Sequence, residues 1–398
     1  MSSTDWRSEW LSHRLADTAA RGLTRRRRLV SDYTREHSSV EACIDGQCVL
    51  SFCSNDYLGL ARHPALVAAW QETARRYGVG SGASHLVTGH HTEHHLLEEA
   101  LATFTQRERA VLFSTGYMAN LAVSTVFASS SDVLYSDELN HASLIDGARL
   151  SSARIARYPH GDTVTLAHLL RRRTEKKALL LTDGLFSMDG TVAPLTSLAS
   201  LCNAEKVWLA VDDAHGLGVL GAHGRGSIEH SGIRALDVPI LIGTLGKAFG
   251  AFGAFVAGSH GLCELLIQHA RTHIFTTALP SAVAAAAHAA LRISIEEPWR
   301  RERLAAHVVR FRAGCSALSL PLMDSMTPIQ PIILGSNQAA LDASNHLLTQ
   351  GILVSAIRPP TVPKNSARLR ITFSAAHTAD DVDRLLEALG TLPPVLRS

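Results

Sequence analysis

Five short apolar runs between residues 110 and 242 each stop at a polar or glycine-rich loop. They are Ala110 to Ser114, Val133 to Ser136, Ala178 to Thr182, Val207 to Val211 and Val238 to Ile242. A strand that is apolar at every position has both faces buried, and strands alternating with helical patterns build a mostly parallel sheet with helices on both faces. The sequence therefore predicts an α/β fold. In such a sheet, ligands sit outside the carboxyl ends of the strands, so the loops that end these runs are where chemistry is expected.

The loop after Ile242 reads Gly243-Thr244-Leu245-Gly246-Lys247-Ala248-Phe249-Gly250. Glycines let the backbone approach a ligand closely, and Thr244 offers a hydroxyl to an oxyanion. Lys247 is the only charged residue between Asp237 and His260. A lysine there reads either as a solvated loop lysine or as a desolvated amine, whose lowered pKa makes it a nucleophile toward aldehydes. The run ending at Val211 leads into Asp212-Asp213-Ala214-His215-Gly216. A Schiff-base lysine and an acid that keeps a pyridine nitrogen protonated are the pair that pyridoxal phosphate chemistry needs. Lys247 and Asp212 supply that pair just past two strand ends.

The other loops add candidates. Thr115-Gly116-Tyr117 opens a helix behind a strand, a ready phosphate site, and Tyr117 could lie against a planar ring. His141 follows a strand end, where it could stack on a ring or cap a helix, and Ser187 sits in another strand-end loop. Arg25 to Arg28 form the densest charge in the chain, readable as a solvated helix end or as an anion site. His85, His90, His91, His94 and His95 invite a metal reading, with His91 and His95 four apart. No H-E-x-x-H pattern accompanies them, and Leu96, Leu97, Leu101 and Phe104 make an ordinary amphipathic helix there, so no metal is expected.

Length and composition bound the rest. At 398 residues the chain is too long for one simple core. Glu296-Glu297-Pro298 marks a boundary, and the expected division is an N-terminal helical segment over 1–45, a large cofactor-binding domain over 46–297 and a smaller α+β domain over 298–398. A helix is expected from the start to about residue 35, with Trp6, Trp10, Leu11 and Leu15 as its apolar stripe. Cys43 to Cys53 alternates around Asp45-Gly46, a hairpin signal. With 46% hydrophobic and 19% charged residues the chain is a packed protein rather than a disordered one. A net charge of +2 argues against a general nucleic-acid binder. No run approaches a membrane span and the N-terminus lacks a signal-peptide pattern. The six cysteines show no C-x-x-C spacing, so neither a zinc nor a redox motif is expected. The expectation is a cytoplasmic protein with free thiols.

Five stretches taken together carry a resemblance that spans nearly the whole chain in unbroken order. Ser54-Asn55-Asp56-Tyr57-Leu58-Gly59-Leu60, Leu139-Asn140-His141-Ala142-Ser143, Phe186-Ser187-Met188-Asp189-Gly190, Val211 to Gly216 and Gly246 to Gly250 resemble the α-oxoamine synthases, pyridoxal phosphate enzymes of the aspartate-aminotransferase-like fold type I. Ile357-Arg358-Pro359-Pro360-Thr361-Val362-Pro363 and Ala367-Arg368-Leu369-Arg370 resemble the branch that condenses L-alanine with a pimeloyl thioester, carried by coenzyme A or an acyl carrier protein, in biotin biosynthesis.

The resemblance implies roles. Lys247 would hold the cofactor and move the α-proton, Asp212 would pair with the pyridine nitrogen, His215 with the phenolic oxygen, and His141 would stack on the ring. Gly116, Tyr117, Ser187 and Thr244 would bind the cofactor. Thr276 and Thr277 would reach the phosphate in the partner subunit of a homodimer. Arg370 would hold a substrate carboxylate, Asn55 would lie at the substrate, and Thr361 with an arginine of the 25–28 run, Arg25 first, would face the pimeloyl chain. Asp183, Phe275 and Tyr117 stand where glutamate, tyrosine and phenylalanine are usual. The alternatives are a glycine-using synthase of the same family and a cofactor-binding regulator without turnover. No nucleic-acid or membrane partner is expected.

Overall fold

The computed structural model describes residues 5–393. Its strands are β1 (Val30–Tyr33), β2 (Glu41–Ile44), β3 (Gln47–Ser51), β4 (Arg109–Phe113), β5 (Val133–Asp137), β6 (Arg154–Tyr158), β7 (Ala178–Asp183), β8 (Trp208–Asp212), β9 (Ile240–Thr244), β10 (Ala254–Gly258), β11 (Ile329–Gly335), β12 (Ile352–Leu353), β13 (Ser355–Ile357) and β14 (Ala367–Thr372). Seven form the central sheet in the order β4-β10-β9-β8-β7-β5-β6. The neighbours β9, β8, β7, β5 and β6 run parallel, and β10 is antiparallel to both β4 and β9.

All five predicted runs are strands of this sheet. Their continuous apolarity has the anticipated cause. In β7, Leu179 and Leu181 join a core on one face with Leu134, Ala210 and Ile242, while Ala178 and Leu180 join the core on the other face with Val133, Leu209 and Val211. The period of two divides each strand between two helical layers. β6 is the sheet's edge and carries Arg154 and Arg157, so no apolar run announces it.

Five helices of the first half matter below: α1 (Trp6–Ala20), α2 (Pro64–Tyr77), α3 (Thr92–Thr105), α4 (Gly116–Phe127) and α5 (Ala142–Leu150). The helix expected to reach residue 35 stops at Ala20, because Gly22 takes a left-handed φ of 64° just past its end. The chain then forms β1 against β2. Trp6, Trp10, Leu11 and Leu15 are exposed, so the described residues leave that stripe uncovered.

Asp45 and Gly46 both have positive φ, 52° and 83°, the two-residue turn that an Asp-Gly pair favours. The turn joins β2 to β3 across the boundary expected at 45/46, and β3 pairs with β12 of the C-terminal region. Its register sets Cys43 opposite Cys48, and the two form a disulfide. This corrects the expectation of free thiols, which holds for Cys53, Cys202, Cys263 and Cys315.

The C-terminal region contains a sheet of order β11-β14-β13 with helices Asn337–Thr349 and Ala379–Gly390. Two short strands follow one another there: Ile352–Leu353 pairs with β3, and Ser355–Ile357 pairs with β14. The far end of β14 meets the loop after β3, where Thr372 N donates to Phe52 O at 2.9 Å and Ala375 N to Tyr57 O at 2.7 Å. That contact brings the C-terminal sheet over the carboxyl ends of the central strands. Among the described residues no helix is long and apolar enough to cross a membrane.

Candidate active site

β7 and β8 end side by side, and Asp183 and Asp212 are register partners. Asp212 is 5% exposed. Its Oδ2 accepts from Asn120 Nδ2 at 2.6 Å, and its Oδ1 from Ala214 N at 3.0 Å. Asn120 stands on α4, whose N-cap Thr115 Oγ1 accepts from Met118 N. The same amide also donates to Ser143 Oγ on α5 at 2.8 Å.

Asp183 is buried, and burial together with the neighbouring Asp212 pushes its carboxyl well above the usual range. Its Oδ2 accepts from the backbone N of His141 at 2.7 Å. His141 caps α5, as one of its two sequence readings anticipated, and its Nδ1 lies 2.6 Å from Ser143 Oγ. The shorter acid at 183 thus still reaches the histidine loop. Burial lowers the pKa of the His141 ring, against the pull of Asp212.

His215 is buried, with Nδ1 2.7 Å from the Tyr57 hydroxyl. Burial first, then the charges of Lys247 and Arg370, hold it well below the ordinary histidine range. Tyr57 itself is pushed up to about 12 by burial. Lys247 follows β9, and burial lowers its amine to about 8 while Asp212 and Asp183 pull the other way.

Arg370 on β14 is 6% exposed. Its Nε donates to Ser187 O at 2.6 Å, and its two terminal nitrogens lie 3.3 and 3.2 Å from Asn55 Oδ1. Two residues earlier on the same face, Arg368 pairs with Asp189 and donates to Met188 O. The arginines therefore divide: Arg368 ties β14 to the loop after β7, and Arg370 is carried above that loop.

A cavity of about 670 Å³ has Arg25, Asn55, His141, Ser187, His215, Lys247, Thr361 and Arg370 in its lining. Of the four arginines at 25–28, only Arg25 lines it. Asp212 is buried and does not itself line it. Gly116 and Tyr117 open α4 outside the lining, and Tyr117 donates to Asp146 Oδ2 at 2.6 Å. Thr244 Oγ1 donates to Gly253 O at 3.1 Å. Thr276 and Thr277 lie apart from this cavity. Asn120 and Tyr57 were not among the expected site residues; their partners are 92 and 158 residues away, and no local pattern reports those contacts.

The donor set suits pyridoxal phosphate. Lys247 Nζ has no hydrogen-bond partner among the described residues, yet it lines the cavity with a lowered pKa. A buried carboxylate fixed by an amide stands behind it. A Cβ built at Gly116 meets nothing within 4 Å, so there is open space at the α4 N-terminus, where backbone N–H groups favour a phosphate.

Comparison with known proteins agrees. A family model described as aminotransferase class I and II matches residues 48–389. The 8-amino-7-oxononanoate synthase of Thioalkalivibrio sulfidiphilus is 57% identical over 380 residues, covering 95% of this chain and 96% of its own. That of Methylococcus capsulatus is 55% identical over 380 residues, covering 96% and 97%. Among solved structures, a serine palmitoyltransferase from Sphingomonas wittichii matches with a TM-score of 0.91 at 29% identity over 98% of each chain. The 8-amino-7-oxononanoate synthase of Francisella tularensis matches with a TM-score of 0.75 at 34% identity, over 86% of this chain and 97% of that one. Fold and site together define a pyridoxal-phosphate-dependent enzyme of fold type I. Within that class, the chain belongs to the family of 8-amino-7-oxononanoate synthases.

Proposed function

We propose that this chain joins L-alanine to a pimeloyl thioester with loss of carbon dioxide, giving 8-amino-7-oxononanoate for biotin biosynthesis. One observation carries the reading: an unpartnered lysine amine and a buried arginine fork, Lys247 and Arg370, line the same cavity as Arg25 and Thr361. Pyridoxal phosphate, when bound, supplies the electron sink that makes an amino acid's α-proton removable.

Each side chain then has a task. Lys247 holds the cofactor through Nζ and afterwards takes and returns the α-proton of alanine; an amine lowered by burial to about 8 suits both duties. Asp212, fixed by Asn120, keeps the proton on the pyridine nitrogen, since an ionised acid favours a nearby cation. His215 has Nδ1 engaged by Tyr57 and so offers Nε2 to the phenolic oxygen. His141 lies against the ring. Ser187, Thr244, Gly116 and Tyr117 hold the cofactor, partly through its phosphate. Thr276 and Thr277 serve the cavity of a second copy in a homodimer.

Arg370 grips the α-carboxylate of alanine in the two-pronged geometry that guanidinium favours, and Asn55 and Ser187 fix its plane. Arg25 and Thr361 face the pimeloyl chain, which arrives on coenzyme A or an acyl carrier protein. A panel of amino acids offered with pimeloyl thioester tests the reading. L-Alanine should support the fastest release of carbon dioxide; equal or faster release with glycine would overturn the choice of amino acid.

A further inference from the structure

A cluster of histidine and carboxylate side chains lies outside the Lys247 cavity. The segment after α2 winds through a π-helical turn, His85–Gly89, into α3, and its histidines pack against one another. The rings of His85 and His273 stack with centroids 5.0 Å apart, and His85 Nδ1 lies 2.9 Å from His90 Nδ1.

Two of these histidines have other duties. His94 Nδ1 accepts from His91 N at 2.9 Å, and its Nε2 donates to Leu279 O at 2.6 Å, so no lone pair remains. His91, half of the pair whose four-residue spacing stands out in the sequence, stacks on Tyr77 and lies 2.5 Å from Ser281 Oγ.

His90, His95 and Glu98 form a group of their own, in which one ligand atom from each lies within 4.8 Å of the others. His95 and Glu98 are three apart on α3 and share a face; His90 comes from the turn before it. Each already has its other polar atom held. His90 Nδ1 meets His85 Nδ1, His95 Nε2 lies 3.2 Å from Glu99 Oε1, and Glu98 Oε1 accepts from Leu112 N at 2.9 Å. That leaves His90 Nε2, His95 Nδ1 and Glu98 Oε2 as donors. Metal-binding imidazoles characteristically have the second nitrogen fixed in this way, by a carboxylate or another acceptor.

We propose that His90, His95 and Glu98 bind a divalent cation of the zinc type, with the fourth position open to water. Two imidazoles and one carboxylate are a donor set that Zn²⁺ takes readily. Bonds of about 2.1 Å at a tetrahedral angle need donors roughly 3.4 Å apart. His90 and His95 are exposed side chains, so an ion can reach them from solvent. The site opens on a cavity of about 440 Å³ that also contains Glu108, Arg109 and His260, and Arg109 is already neutralised by Glu264 at 2.9 Å. None of the three ligands lines the Lys247 cavity.

The test uses the holoenzyme, treated with chelator and dialysed, then titrated with ZnCl₂ by calorimetry and with CoCl₂ by visible absorption. One equivalent per chain should bind, with ligand-field bands for Co²⁺ and a Tm that rises with ZnCl₂ concentration. His95→Ala and Glu98→Gln should abolish the stoichiometric binding, and Glu99→Gln should weaken it by about tenfold or more. His269→Ala, an exposed histidine outside the cluster, should bind as the wild type does. Absence of stoichiometric binding in the wild type, or its persistence in both His95→Ala and Glu98→Gln, overturns the proposal.

Discussion

The Tyr57 hydroxyl lies 2.7 Å from Nδ1 of His215, and both residues are buried. A buried imidazole with one nitrogen so engaged has its ring plane held by that partner. Tyr57→Phe removes the contact without changing the packing volume much. The variant should still bind pyridoxal phosphate covalently, but the pH titration of its absorbance band should shift. Its kcat/KM for alanine should fall by the equivalent of about 1–3 kcal/mol, the cost of leaving a buried polar atom unpaired. An unchanged spectrum and unchanged kcat/KM would show that His215 is held by packing alone.

Arg370 and Arg368 should separate under substitution. Arg370→Lys keeps the charge but loses the fork, and kcat/KM for alanine should drop by about 2–5 kcal/mol of transition-state binding at saturating thioester. Arg368→Ala breaks the buried pair with Asp189, so its main effect should be on unfolding, about 3–5 kcal/mol by denaturant titration. A larger catalytic loss at Arg368 than at Arg370 would show that the wrong arginine has been given the carboxylate.

What the sequence disclosed follows from how each feature is encoded. Lys247, Asp212 and His215 follow apolar runs directly, so the strands that place them also announce them. Asn120 and Tyr57 act on partners far along the chain, and neither sits in a local pattern that reports such a contact. The hairpin at Asp45-Gly46 was readable from its turn residues. The disulfide across it was not, because pairing depends on a register that spacing alone does not fix. The end of α1 turned on one glycine, Gly22, which weighs little against the helical pattern around it.

The lysine pKa gives a pH dependence with a definite sign. Burial lowers the Lys247 amine to about 8, and only the neutral amine attacks an aldehyde. The rate at which apoenzyme captures pyridoxal phosphate should rise with pH, by about tenfold per unit well below 8, and level off above it. Asp212 raises this pKa, so Asp212→Asn should move the plateau to lower pH. Stopped-flow absorbance measures both, and a pH-independent rate between 6 and 9 (roughly two units below and one above that pKa) would contradict the assignment.

Thr276 and Thr277 lie apart from this chain's own cavity, so their proposed role requires a second copy. Sedimentation should show a homodimer at assay concentrations. Thr276→Ala combined with Thr277→Ala should weaken retention of pyridoxal phosphate, read as faster loss of the cofactor on dialysis. A fully active monomer would refute the shared site.

The account centres on Lys247 in a cavity shaped for alanine and a pimeloyl thioester. The most direct measurement incubates the reconstituted protein with L-alanine and pimeloyl thioester and follows the product by mass spectrometry. Wild type should yield 8-amino-7-oxononanoate with one carbon dioxide released per product, and Lys247→Ala, folded by circular dichroism, should yield none. Product formation by Lys247→Ala at the wild-type rate, or none by a wild type that has bound its cofactor, would contradict the account.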